Sequence, residues 1–180
     1  MGPHYRKHGK IQVPLTDEEF KQGMQTGPFK KPKHKGFVTL LFYTGVRKSE
    51  ALRVKKEQFQ LRSNQIIFDV GKRLKHGLET PPLNIPLDAA YAQEIWWAIE
   101  NTRKNKRVFP YCEKTGYNIV DRVFKYPHYF RLSRITNFFL AGYTIAEVKS
   151  WTGLTLKALD YYVGLVNVMK MGDSLGKKVL

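Results

Sequence analysis

The stretch Thr44-Gly45-Val46-Arg47-Lys48-Ser49-Glu50-Ala51-Leu52 decides how the rest of the chain is read. A glycine closes one element, and an arginine two residues later opens the next helix. That arrangement delivers a guanidinium close to backbone amides, and its planar fork suits bidentate contact with a phosphate. Taken alone, the same residues also describe an ordinary surface arginine on a capped helix, so the neighbouring segments carry the decision. Upstream, Phe37 to Tyr43 is densely apolar and bounded by Gly36 and Gly45. Its length admits a strand or a buried helix, and periodicity leaves both open. Downstream, Ser49 to Val54 reads as a short helix.

Further out, Thr16-Asp17-Glu18-Glu19 before Phe20 has the form of a capping box, and Gly27-Pro28 ends the helix it starts. Gln65 to Val70 is a strand by its β-branched content, and Leu83 to Leu87 is a second. The basic turn Gly71-Lys72-Arg73-Leu74-Lys75-His76-Gly77 lies between them, which makes the pair a hairpin. Asp88 starts a helix to about Asn101, with Tyr91, Ile95, Ala98 and Ile99 on one face. Arg122 to Leu140 and Ile145 to Trp151 read as helices separated by the stop Ala141-Gly142. Leu156 to Met169 is a last helix, and residues 1–13 form a loose start. The expected fold class is mainly α with a small antiparallel β-sheet, undivided by any boundary signal.

The 180 residues carry 31 Lys plus Arg against 15 Asp plus Glu, a formal net charge of +16. With 42% hydrophobic residues the chain can bury a core, which excludes general disorder. The lone Cys112 excludes a disulfide framework and a four-cysteine zinc site. No apolar run approaches the roughly 20 residues of a membrane span, and the first ten residues lack the apolar stretch of a secretory signal. The expected location is therefore cytoplasmic or nucleoid-associated, or a host cell if a virus encodes the chain. A folded chain of such charge favours a polyanionic partner, above all nucleic acid. The cations are spread through the sequence and alternate with Phe, Tyr, Val and Leu, so they form basic stripes rather than a tail. Lys30-Lys31-Pro32-Lys33-His34-Lys35 is a basic loop candidate.

Three further pieces bear on chemistry. Lys72 and Lys75 occupy the hairpin turn, where a lysine can reach a DNA groove. His128 and Arg131, at i and i+3, share a helix face on which one phosphate can meet both. Tyr161-Tyr162 follows Trp151-Thr152-Gly153, and a phenol among cations can act as a nucleophile. Each piece alone is unspecific; their order is the stronger signal.

The order arginine, hairpin lysine, His-x-x-Arg, tyrosine resembles the catalytic domain of the tyrosine recombinase (phage integrase) family, from about Leu15 to Val166. TGVRKSEALRV at 44–54 is similar to its first arginine box, and PHYFRLSRITNFFLAG at 127–142 to its His-x-x-Arg helix. LTDEEF at 15–20 and IAEVKSWTG at 145–153 resemble its opening and the approach to its last active-site residues. The resemblance implies a tyrosine recombinase catalytic-domain fold over 15–170, with a flexible segment at 1–14 and a tail at 171–180. It implies a site-specific recombinase that cleaves and rejoins double-stranded DNA through a 3′-phosphotyrosyl link, without metal, ATP or other cofactor. Arg47, Lys75, His128, Arg131 and Tyr162 would be catalytic, and Lys48, Lys72, Arg73 and Arg134 would bind DNA. Tyr161 stays open beside Tyr162, and Lys72 beside Lys75. The family's penultimate His or Trp falls on Leu154 when counted through Gly153, with Trp151 as the other candidate. Self-assembly on DNA is implied, as is a separate clamp domain, which here was either removed or dispensed with. The alternatives are a DNA-binding relative that has lost activity and DNA relaxation of the type IB topoisomerase kind.

Overall fold

The computed structural model describes residues 6–7, 10–11, 13–29, 31–69 and 81–176. The core is organised on the segment whose periodicity was ambiguous. Phe37 to Tyr43 belongs to a helix, α2 (Pro32–Thr44), with Pro32 at its start and Gly45 at its end. Gly36, Phe37, Val38, Thr39, Leu40, Leu41 and Phe42 are all buried, so no polar face marks a helical period. The helix α4 (Ala92–Glu100) packs against α2, and its approach explains Gly36. A Cβ there would stand 2.5 Å from the Glu94 carbonyl oxygen.

The helix α1 (Asp17–Thr26) begins on the expected capping box: the Thr16 hydroxyl accepts from the Glu19 N–H, and the Glu19 carboxylate accepts from the Thr16 N–H. It brings Phe20 into a stack on Phe42, centroids 3.9 Å apart. The short helix α3 (Lys48–Ala51) follows α2. The sheet has three strands, β3 (Phe59–Arg62), β4 (Gln65–Phe68) and β5 (Leu83–Pro86), antiparallel in that order. The β4/β5 hairpin is as expected, with Ile66 opposite Ile85. Strand β3 was not foreseen; Phe59 alone of its residues is buried, which leaves no alternation to read. Its two-residue turn places Ser63 and Asn64 at φ +47° and +60°, the twist that a tight hairpin requires. At the amino end, β1 (Arg6–Lys7) pairs antiparallel with β2 (Lys10–Ile11), where a loose start was expected.

Helix α5 (Glu113–Asp121) was also missed, and α6 (Pro127–Leu140) begins later than the expected Arg122. The continuous helix breaks because Lys125 takes φ +53° and Tyr126 is extended before Pro127. Likewise α4 starts after Asp88, since Tyr91 stands at φ +63°. Helix α7 (Ile145–Thr152) opens on a second capping box, Thr144 with Glu147. The last helix, α8 (Leu156–Gly176), runs beyond Met169. The basic run at 30–35 is no loop from Pro32 onward: those residues form the first turn of α2. Among the described residues, no helix is long and apolar enough to cross a membrane.

Candidate active site

Two helix ends meet at Arg131. Its side chain, 2% exposed, projects from the second turn of α6. One guanidinium nitrogen donates to the Gly45 carbonyl at 2.8 Å, just past α2. The other terminal nitrogen donates to the Thr152 carbonyl at 3.1 Å, at the end of α7. A buried planar fork thus ties together the loop that carries Arg47 and the turn that leads into α8. A lysine could not span both acceptors in fixed geometry.

Gly45 makes that approach possible. It sits at φ +60°, and a Cβ would lie 3.1 Å from the Arg134 Cβ. The chain then turns outward, so Arg47 emerges with half of its side chain exposed. Glu50 orients it: its carboxylate accepts from the Arg47 backbone N–H and from Nη1, both at 2.8 Å. Sequence reading missed Glu50 as a site residue, although an acid three positions after a helix cap is the signal for it.

From α8, Tyr162 enters the same region. Its side chain is buried, and burial raises its phenol above the ordinary tyrosine value. The charges of Arg131 and then Arg47 oppose that rise. Tyr162 therefore shares an electrostatic field with both arginines of the sequence motif. Tyr161 is half-buried, its ring edge-on to Tyr162 at 5.1 Å. His128 stands one helical turn before Arg131 on α6 and is exposed.

Other expected residues fall elsewhere. Lys72, Arg73 and Lys75 lie outside the described residues. Lys48 is engaged by α5: its ammonium meets the Glu113 carboxylate at 2.6 Å and carbonyl at 3.0 Å, and stands 5.8 Å from the Tyr117 ring centre. Arg134 points inward. Its guanidinium covers the Phe138 ring at 4.5 Å, burial lowers its proton affinity, and the charges of Asp17, Tyr43 and Tyr143 act against that. Trp151 packs with Phe138 and Tyr143, at 4.9 and 5.0 Å between centroids. Leu154 is half-buried hydrocarbon, and its N–H donates to the Thr152 hydroxyl at 3.3 Å. Thr152 is a residue that sequence reading passed over. Its hydroxyl bonds Val148 and Leu154, which fixes the carbonyl that Arg131 grips.

A mainly helical core with a three-stranded sheet, and a buried arginine joining two helix ends beside a tyrosine, defines a class of fold. No protein-family model matches the chain. In an alignment 127 residues long it is 32% identical to a TnP I resolvase of Bacillus thuringiensis, with 64% of this chain and 43% of that protein covered. Among solved structures it is similar to the XerH site-specific recombinase bound to its difH substrate (TM-score 0.65, 17% identity, 86% of this chain and 51% of that one). It is also similar to the XerA recombinase (0.64, 15%, 91% and 66%) and to the Tn1549 transposon integrase in complex with transposon right-end DNA (0.58, 16%, 92% and 67%). The chain spans about half the length of the first of these proteins. It has the catalytic-domain fold of the tyrosine recombinases, as the sequence resemblance implied.

Proposed function

We propose that the chain is the catalytic part of a tyrosine-type site-specific recombinase acting on duplex DNA. The observation that carries this reading is the convergence of Arg131, Arg47 and the buried Tyr162 phenol in one field. The difficult species in DNA cleavage is a phosphorane with extra negative charge. Arg47, exposed and oriented by Glu50, and Arg131 would hold its non-bridging oxygens, the role of fixed cations in transition-state stabilisation.

The Tyr162 oxygen would attack the phosphorus and form a P–O bond to the 3′ side, while the P–O5′ bond breaks. The phenol proton would pass toward His128, and Lys75 would protonate the leaving 5′-oxygen. Tyrosine's ordinary pKa is about 10, and burial raises it here, so the two arginines are what make deprotonation accessible during attack. The covalent link conserves the bond energy, and a 5′-hydroxyl attacking it restores the duplex. Leu154 offers no polar side chain at the family's penultimate position, so phosphate contact there would fall to backbone groups near Gly153. The relatives' printed activities, recombination and integration, and the DNA present in two of those structures support the reading. Self-assembly on DNA belongs to the same proposal.

The test is a nicked duplex carrying the target site, scored for an SDS-resistant protein–DNA adduct. The reading expects an adduct from the native chain and from Tyr161→Phe, and none from Tyr162→Phe. Adduct from both single variants and from the double variant would defeat it.

A further inference from the structure

The basic run at Lys30–Lys35 is not used by the proposed active site. Its described part opens α2, at the opposite end of the helix from Gly45. The twelve rises of about 1.5 Å along its 13 residues separate the two ends by about 18 Å. At that far end lies an open groove of about 530 Å³, lined by Lys33, Lys55, Arg103, Lys106 and Arg107. Among the described residues, no carboxylate lines it.

The groove is built from fixed backbone. Lys55 and Arg107 pair as an isolated antiparallel bridge, and the Val108 N–H donates to the Val54 carbonyl at 3.0 Å. Lys33 reaches the Thr102 hydroxyl at 3.5 Å. Lys56 closes the end of α4 through the Glu100 and Thr102 carbonyls, at 3.1 and 2.8 Å. Glu57, the neighbouring acid, is tied to the Asn105 backbone N–H. The first turn of α2 carries no acid, so the positive end of the helix adds to the field of the lysines instead of being neutralised.

Five cations around one concavity repel one another unless an anion lies among them. An open groove with long cationic walls fits a polymer's phosphates better than an enclosed small ligand, whose sites are mostly apolar. We propose that this groove is a second phosphate-backbone site for duplex DNA, separate from the phosphate under attack. The identity of the polymer rests on the recombinase reading. At 3.4 Å per base pair, 18 Å corresponds to roughly five pairs of duplex. The same phosphate chemistry could come from the flank of the cleaved duplex or from a second duplex.

The experiment uses the full chain and an intact, uncleaved duplex, with binding followed by fluorescence anisotropy across a salt series. The variant is Arg103→Gln/Lys106→Gln/Arg107→Gln, three exposed positions, with Lys55→Gln as an independent single change. Each phosphate contact contributes about 0.9 to the log–log salt slope. The triple variant is expected to flatten the slope by about 2 to 3, and Lys55→Gln by about 1. Slopes and affinities equal to those of the native chain, in variants with native melting temperatures, overturn the proposal. Loss seen with a duplex of about 40 pairs, and absent when the duplex ends within about three pairs of the target phosphate on both sides, assigns the groove to the flank of one duplex. Equal loss on both assigns it to an independent duplex. Adduct formation by the native chain is scored separately. A chain that forms no adduct yet shows the slope change keeps the groove and loses the recombinase.

Discussion

Replacing Arg131 should damage stability and chemistry together, by amounts the structure allows to be worked out. The side chain is buried and makes two hydrogen bonds, to Gly45 and Thr152 carbonyls. A hydrogen bond to a charged group contributes roughly 1.5–3 kcal/mol. Arg131→Ala should therefore cost about 3–6 kcal/mol, a large part of the roughly 5–15 kcal/mol that holds a domain together. Arg131→Lys keeps the charge but can serve one acceptor at a time, so about 1.5–3 kcal/mol is lost. At about 2–4 °C per kcal/mol for a chain of this size, the lysine variant should melt roughly 3–12 °C lower. Chemistry suffers as well, because the Arg131 charge favours ionisation of Tyr162 more than that of Arg47 does. Loss of one such fixed donor typically slows a reaction by about 10²–10³. Urea unfolding followed by tryptophan fluorescence reads the first effect, and adduct formation on a nicked duplex reads the second. An Arg131→Ala chain with an unchanged urea midpoint would refute the account of Arg131 as the tie between α2 and α7.

Three further expectations concern other parts of the fold. Gly36→Ala sets a Cβ against the α4 backbone, with no flexible side chain to yield, and overpacking of this kind costs about 1–3 kcal/mol; a native melting temperature would contradict it. Thr144→Ala removes the α7 cap and should cost about 1 kcal/mol in urea unfolding, whereas no change would mean that the capping box does not hold the helix. Burial pushes the phenols of Tyr111 and Tyr129 up to about 12. Their folded values exceed the unfolded value of about 10, so the stability they contribute is complete below about pH 10 and is lost as pH rises through about 12. Urea midpoints should fall over that window, and less steeply in Tyr129→Phe; parallel profiles would count against the assignment.

Where the sequence was legible, a local chemical signal existed. The Thr16 and Glu19 pair announces α1, Gly45 announces the end of α2, and the Ile66-Ile67-Phe68 run announces β4. Other features had no such signal. Helix α2 is buried on nearly every side, so its apolar residues carry no period. Strand β3 lies at the sheet edge with one buried residue, and α5 buries only Gly116, Ile119 and Val120 along a polar face. The break before Pro127 was visible as a proline but was read through. For the site, residue types and order were legible, whereas direction was not. Arg134 and Arg131 look alike in sequence, yet neither forms an exposed basic surface: one covers Phe138 and the other bridges two carbonyls. Lys48 similarly exchanges a free charge for Glu113. Whether a cation faces outward depends on the tertiary partners available to it, and these lie 21 to 86 residues away for Arg131.

The central claim is that the Tyr162 oxygen becomes bonded to DNA. The adduct formed on a nicked duplex can be digested with nuclease and trypsin, leaving a nucleotide on the peptide Ala158-Leu159-Asp160-Tyr161-Tyr162-Val163-Gly164-Leu165-Val166-Asn167-Val168-Met169-Lys170. Fragmentation in the mass spectrometer then separates the two tyrosines. The account predicts the added mass on Tyr162, while Tyr161 stays unmodified. The mass on Tyr161, or a native chain that yields no linked peptide from its target duplex, would contradict it.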